Sequence, residues 1–142
     1  MDLCAQPTAV VSTDATVDQA IRVMLKYEVG AVAVIDDFQQ IAGIFTERDV
    51  LVKVALSDRN PSSTPVRKLM TSPARTATSE VTPAEALNVM IDGHFRHLPI
   101  VGGHGKLLGI LSIRNLLRWR ADDLSNELDA LEQYFANDSL GG

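Results

Sequence analysis

The sequence predicts a mixed α/β (α+β) fold: two tandem strand-helix-strand-strand-helix repeats related by a pseudo-twofold, followed by a C-terminal helix. Three observations lead there. The chain matches itself without gaps at one constant offset, which carries Leu3 onto Leu69. Each copy opens a helix with a capping signature, in ATVDQAIRVMLKYE and again in VTPAEALNVMIDGH. Each copy then holds two short apolar runs bounded by turn residues, and the second run passes directly into a charged helical stretch.

The offset that pairs Leu3 with Leu69 also places Pro7 on Pro73, Thr16 on Thr82, Ala20 on Ala86 and Val23-Met24 on Val89-Met90. Further along, Gly43-Ile44 falls on Gly109-Ile110, Arg48 on Arg114 and Leu51 on Leu117, while most other apolar positions stay apolar. A repeat of this kind fixes an architecture that single-segment propensities leave open. It divides the chain into a first repeat (3–57), a linker rich in Pro, Ser and Asn (58–68), a second repeat (69–123) and an amphipathic C-terminal helix (124–137). Neither small sheet can bury both faces alone, so the two units must pack on each other.

The elements follow in order. Thr16 with Gln19, and Thr82 with Glu85, form Thr-x-x-Gln/Glu capping boxes, and Pro83 occupies the first helical position of the second copy. AVAVI (31–35) and HLPIV (97–101) read as buried strands, as do IAGIF (41–45) and LLGIL (107–111). Asp36-Asp37 and Gly102-Gly103-His104-Gly105 supply the turns between them. Thr46 and Ser112 then stand at the N-caps of TERDVLVKVAL and SIRNLLRWRADDL.

Composition narrows the function. The 142 residues, 46% of them hydrophobic, suffice for a core of ordinary size. A net charge of -5 disfavours a nucleic-acid footprint, which wants a basic face. The single cysteine, Cys4, excludes an intramolecular disulfide and reads as a small buried apolar residue. No window reaches the roughly eighteen consecutive apolar residues of a membrane helix, and MDLCAQP lacks the features of a signal peptide. A cytoplasmic protein is expected.

Several of these motifs together resemble the cystathionine-beta-synthase-type tandem, the CBS domain pair or Bateman module. The resemblance covers residues 3 to 120 and rests on four features: LMTSP opening the second copy, the capped helix with its Ala-x-x-Val-Met core, HLPIV, and Gly-apolar-x-Ser/Thr-x-x-Asp/Asn in GIFTERDV and GILSIRNL. It implies a regulatory, non-catalytic module that binds an adenosine-containing ligand (AMP, ADP, ATP, NAD or S-adenosylmethionine) in clefts between the copies. No obligatory cofactor is implied.

The residues themselves offer matching chemistry. Thr46 and Ser112 sit where strand becomes helix, so backbone N–H groups and a hydroxyl are presented together. Asp49 lies one turn beyond Thr46, and a carboxylate accepts two hydrogen bonds from a vicinal diol such as ribose. An ordinary cap with a favourable helix dipole accounts for the same pair, and the two roles can coexist. Asn115 replaces aspartate in the second copy, so weaker or different binding is expected there. Ala33 in place of Pro99, and Cys4-Ala5 in place of Met70-Thr71, are further departures.

By the resemblance, further ligand contacts fall on each copy's first strand and on the approach to its second. One site then comprises Thr46, Arg48, Asp49, Thr71, Thr76, Phe95 and Arg96. The other comprises Ala5, Val10, Val29, Gly30, His97, Ser112, Arg114 and Asn115. Gly30 lets a flat base approach the backbone, whereas Phe95 and Arg96 offer stacking and a cation. The rival expectation is an interaction or scaffold module with vestigial pockets.

Other constellations yield less. His94, His97 and His104 are close in sequence but lack a cysteine or a Glu-x-x-His partner, so no metal site is expected. No nucleophile elbow, P-loop or Cys/His pair supports an enzyme. Leu124, Leu128, Leu131 and Phe135 form one apolar helix face, which either folds back on the module or seals a homodimer; the homodimer is favoured. Adenosine nucleotide, a second copy and an unidentified effector protein are thus the expected partners.

Overall fold

A computed structural model describes residues 9–141, with side chains through 134. The predicted features at Leu3, Cys4, Ala5 and Pro7 lie outside the described residues. The first repeat runs β1 (Val10–Ser12), α1 (Val17–Tyr27), β2 (Ala31–Ile35), β3 (Ile41–Thr46) and α2 (Glu47–Asp49), which widens into a π-helical turn over Val50–Val54. The second runs β4 (Ala77–Thr78), α3 (Pro83–Gly93), β5 (His97–Val101), β6 (Leu107–Ser112) and α4 (Ile113–Gly141). The two sheets share one topology, β1-β2-β3 and β4-β5-β6, parallel then antiparallel.

Local chemistry explains the elements. The capping boxes at Thr16/Gln19 and Thr82/Glu85 are both formed, each threonine hydroxyl accepting from the N–H three residues on. Glu28 and His94 close α1 and α3 in left-handed conformations, φ 54 and 58. The following residues, Val29 and Phe95, donate to Met24 O and Met90 O, respectively, which turns the chain toward β2 and β5.

The helices after the second strands differ. β-branched Val50, Val52 and Val54 are poor helix residues, and the first repeat's stretch is one α turn plus the π-helical turn. In the second repeat Leu116-Leu117-Arg118 and the residues beyond are better formers. The two helical segments read from the sequence there are one continuous helix of 29 residues.

Each repeat has its own core. Val11, Val17, Ala20, Met24, Val32, Val34 and Phe45 build the first, and Ala86, Met90, Leu98, Ile100, Leu111 and Leu116 the second. Strand alternation turns Ala31 and Ala33 to the opposite face from Val32 and Val34. They are buried there too, as is Pro99 in the twin strand. Both faces of the central strands are therefore covered. Close approaches mark the repeat–repeat contact at each end: Gly30 against His97, and Gln40 with Lys106 and His104, where Gln40 Nε2 donates to His104 O over 2.8 Å.

Sequence order and packing interleave at the linker. Val66, Leu69 and Met70 pack on the first core, and a 3-10 turn at Val66–Lys68 holds them there. Val66 N donates to Ala15 O, and Thr71 exchanges two backbone hydrogen bonds with Ile44 at 2.8 and 3.0 Å. The start of LMTSP thus belongs in space to the repeat that precedes it.

Candidate functional site

The strand-to-helix corner of the first repeat carries the most elaborate polar cluster. Asp49 is only 6% exposed. Its Oδ2 accepts from Thr46 N (3.0 Å) and Thr46 Oγ1 (3.2 Å), and Thr46 Oγ1 accepts in turn from Asp49 N. Its Oδ1 faces Thr71 Oγ1 at 3.3 Å and Lys53 Nζ at 3.1 Å. The lysine also donates to Leu69 O at 2.9 Å. Three of the sequence-predicted residues, Thr46, Asp49 and Thr71, are therefore brought together, and the cap is real as well. Arg48 is exposed beside them.

The remaining residues of that predicted group lie on the second repeat. Thr76 is exposed immediately before β4. Phe95 is half-buried against the second core, packs on Gly93, and has the Arg75 guanidinium 5.9 Å from its ring centroid. Arg96 presents an exposed side chain, while its carbonyl accepts from Ile113 N at 2.8 Å. The twin of that bond runs from Glu47 N to Gly30 O at 3.0 Å. The pseudo-twofold thus extends to single main-chain contacts beside the candidate residues.

The second predicted group is assembled in parts. Gly30 abuts both His97 and Glu47: a Cβ there would stand 3.2 Å from His97 Cε1 and 3.0 Å from Glu47 Oε1. His97 pairs with Ser112 across β5 and β6, and Ser112 Oγ accepts from Asn115 N at 3.1 Å. Val29 packs on the first core, and Arg114 is exposed. Val10 lines a groove of about 320 Å³ between the repeats, together with Ile35, Gln39, Lys106 and Leu107. Ala5 lies outside the described residues.

Burial pushes the His97 imidazole below its ordinary 6.5. The Glu47 carboxylate pulls the other way and Arg96 adds to the lowering. The three histidines occupy different elements: His94 caps α3, His97 opens β5 and His104 sits in the β5–β6 turn.

Sequence reasoning missed four contributors. Lys53 stands four residues after Asp49, a spacing that could have flagged it. The approach of Glu47 to His97, and of Lys106 and Leu107 to Val10, arises only when the repeats pack, and no local signal carries it.

Two pseudo-symmetric α/β units, each with a capped strand-to-helix corner, define a tandem-repeat module. The chain belongs to the CBS domain family, whose model matches residues 1–56 and 66–122. It is 42% identical over 109 residues to an uncharacterised 17.7 kDa protein of Acidianus ambivalens, a match covering 77% of this chain and 65% of that one. The chain spans between 54% and 65% of the length of the first relatives it matches. A proposed signal-transduction protein with CBS domains from Burkholderia ambifaria superposes with a TM-score of 0.75 at 35% identity, over 85% of this chain and 91% of that one. CBSX2, solved in complex with AMP, superposes with a TM-score of 0.71 at 26% identity, over 84% and 91% of the respective chains. Among the described residues, no helix is long and apolar enough to cross a membrane.

Proposed function

We propose that this chain is a regulatory module, not a catalyst, that binds an adenosine nucleotide between its repeats and passes its occupancy to an effector protein. AMP is the first ligand to test, followed by ADP, ATP and NAD. The observation that carries this reading is the Thr46–Asp49–Thr71 cluster, a carboxylate and two hydroxyls gathered where the first repeat meets the opening of the second. A ribose diol is the partner that such a carboxylate suits. The AMP complex of the similar CBSX2 supports the choice of ligand. Thr46, Arg48, Asp49, Thr71, Thr76, Phe95 and Arg96 would serve one site. Val10, Val29, Gly30, His97, Ser112, Arg114 and Asn115 would serve the other, which holds an amide where the first holds a carboxylate.

Signalling would proceed by linkage. A ligand that prefers one angle between the repeats shifts the population toward it, and a partner that reads the angle responds. A second copy of the chain is part of this reading, because α4 carries Leu124, Leu128 and Leu131 exposed. One observation favours the ligand-independent scaffold instead: the Asp49 carboxylate already has four donors around it.

A thermal-shift panel of AMP, ADP, ATP, NAD and S-adenosylmethionine separates the two. A ligand at 100 times its dissociation constant adds about 2.7 kcal/mol to stability. Flat curves with all five would favour the scaffold. Asp49→Ala is expected to abolish most of the stabilisation, and Asn115→Ala to abolish less.

A further inference from the structure

The donors around Asp49 are not equivalent. Those on Oδ2, the N–H and hydroxyl of Thr46, belong to the same helix corner and travel with the aspartate. Those on Oδ1 come from outside that corner, Lys53 from one turn further along the same helical stretch and Thr71 from another segment. Thr71 Oγ1 comes from the opening of the second repeat, and Lys53 comes from the π-helical turn. That turn carries the Lys53 ammonium to a point where it bridges Asp49 Oδ1 at 3.1 Å and Leu69 O at 2.9 Å. Leu69 is buried in the first core, and Thr71 two residues on pairs with Ile44.

Any diol that takes Asp49 must therefore displace donors from Oδ1, and the charged one is the stronger competitor. We infer that Lys53 is an affinity-setting lock on the adenosine site. It holds the Asp49 carboxylate in the empty state, and its displacement loosens the Leu69–Thr71 segment that joins the repeats. This inference rests on the adenosine reading and adds to it a residue with a sign: removing Lys53 strengthens binding. A lysine that contacted the ligand's phosphate would have the opposite sign, and a lysine with a purely structural role would leave affinity for a folded protein unchanged. The second repeat offers a natural contrast, because the position equivalent to Lys53 is Trp119, on an uninterrupted helix.

The test is calorimetric titration of the full chain with AMP and with adenosine, using wild type, Lys53→Met, Lys53→Gln and Lys53→Arg. Lys53→Met and Lys53→Gln should bind both ligands about tenfold more tightly, the scale of one charge-assisted hydrogen bond, and Lys53→Arg should remain near wild type. Hydrogen exchange at the Ile44 and Thr71 amides should quicken when AMP is added to wild type. Equal or weaker binding by both neutral variants, alongside a wild type that binds, overturns the lock while leaving the adenosine reading intact. Failure of wild type and all variants to bind either ligand overturns both. Unchanged amide exchange on AMP binding overturns the proposed loosening.

Discussion

Gly30 of the first repeat lies against His97 of the second so closely that a Cβ at residue 30 would stand 3.2 Å from the imidazole and 3.0 Å from the Glu47 carboxylate. The backbone conformation at Gly30 is one that any residue can adopt, so space and not torsion restricts the position. Both obstructing atoms are ends of movable side chains. Gly30→Ala should therefore cost less than about 1 kcal/mol, whereas Gly30→Val forces an overpacked contact between the repeats and should cost about 1–3 kcal/mol. Urea denaturation of the two variants checks this, and equal midpoints would show that the approach is not tight.

His97 gives the same junction a pH dependence. Burial holds the folded imidazole below 6.5 against the opposing pull of Glu47, while the unfolded chain titrates near the ordinary value. Between the two values the unfolded state binds the proton and the folded state does not, so unfolding takes up a proton and stability falls as pH drops below about 6.5. Above that range the term vanishes. Melting temperatures of wild type and His97→Gln at pH 7.5, 6.5 and 5.5 should converge or diverge accordingly, with wild type losing more on acidification. Parallel profiles would remove His97 as the source.

Much of the fold was legible because the chain states it twice. A capping box at Thr16 could be chance; another at Thr82 in the same register could not, and the strand limits of AVAVI and HLPIV emerged as read. The site was legible only where it is local. Thr46 and Asp49 are three residues apart and their bond follows from helix geometry. Thr71 could be placed with them only through the family pattern. The contact of Gly30 with His97 and Glu47 depends on how two sheets meet, and that information is spread over every residue of the interface. The π-helical turn at Val50–Val54 was also invisible, since the valines lower helix propensity without saying which irregularity results.

Leu69 tests the interleaving of the repeats. It is 6% exposed and packs with Val54, Val66 and the other residues of the first core, although it opens the second repeat in sequence. Truncation in a packed core costs about 2–5 kcal/mol. Leu69→Ala should lower stability on that scale and speed amide exchange in β2 and β3 before β5 and β6. Leu98→Ala, in the second core, should show the reverse order. Preferential loss of protection in β5 and β6 in the Leu69 variant would mean that the residue serves the second repeat after all.

The exposed face of α4 calls for a partner of comparable chemistry. Leu117, Leu124, Leu128 and Leu131 are 54%, 43%, 60% and 52% exposed and recur at helical spacing, so within a single chain the stripe does not fold back onto the repeats. Phe135, the next member, lies outside the described side chains. A long helix with one uncovered leucine face gains most of its stability from packing, not propensity, and a second copy offers a matching stripe through an isologous contact. Wild type should therefore sediment as a dimer at micromolar concentration, with a melting temperature that rises with protein concentration. Leu124→Asp combined with Leu128→Asp should yield monomers whose melting temperature is independent of concentration. Because neither leucine takes part in the polar cluster at Asp49, the monomer also shows whether ligand affinity depends on assembly. Unchanged AMP affinity would place the dimer downstream of binding, and weakened affinity would make the second copy part of the switch.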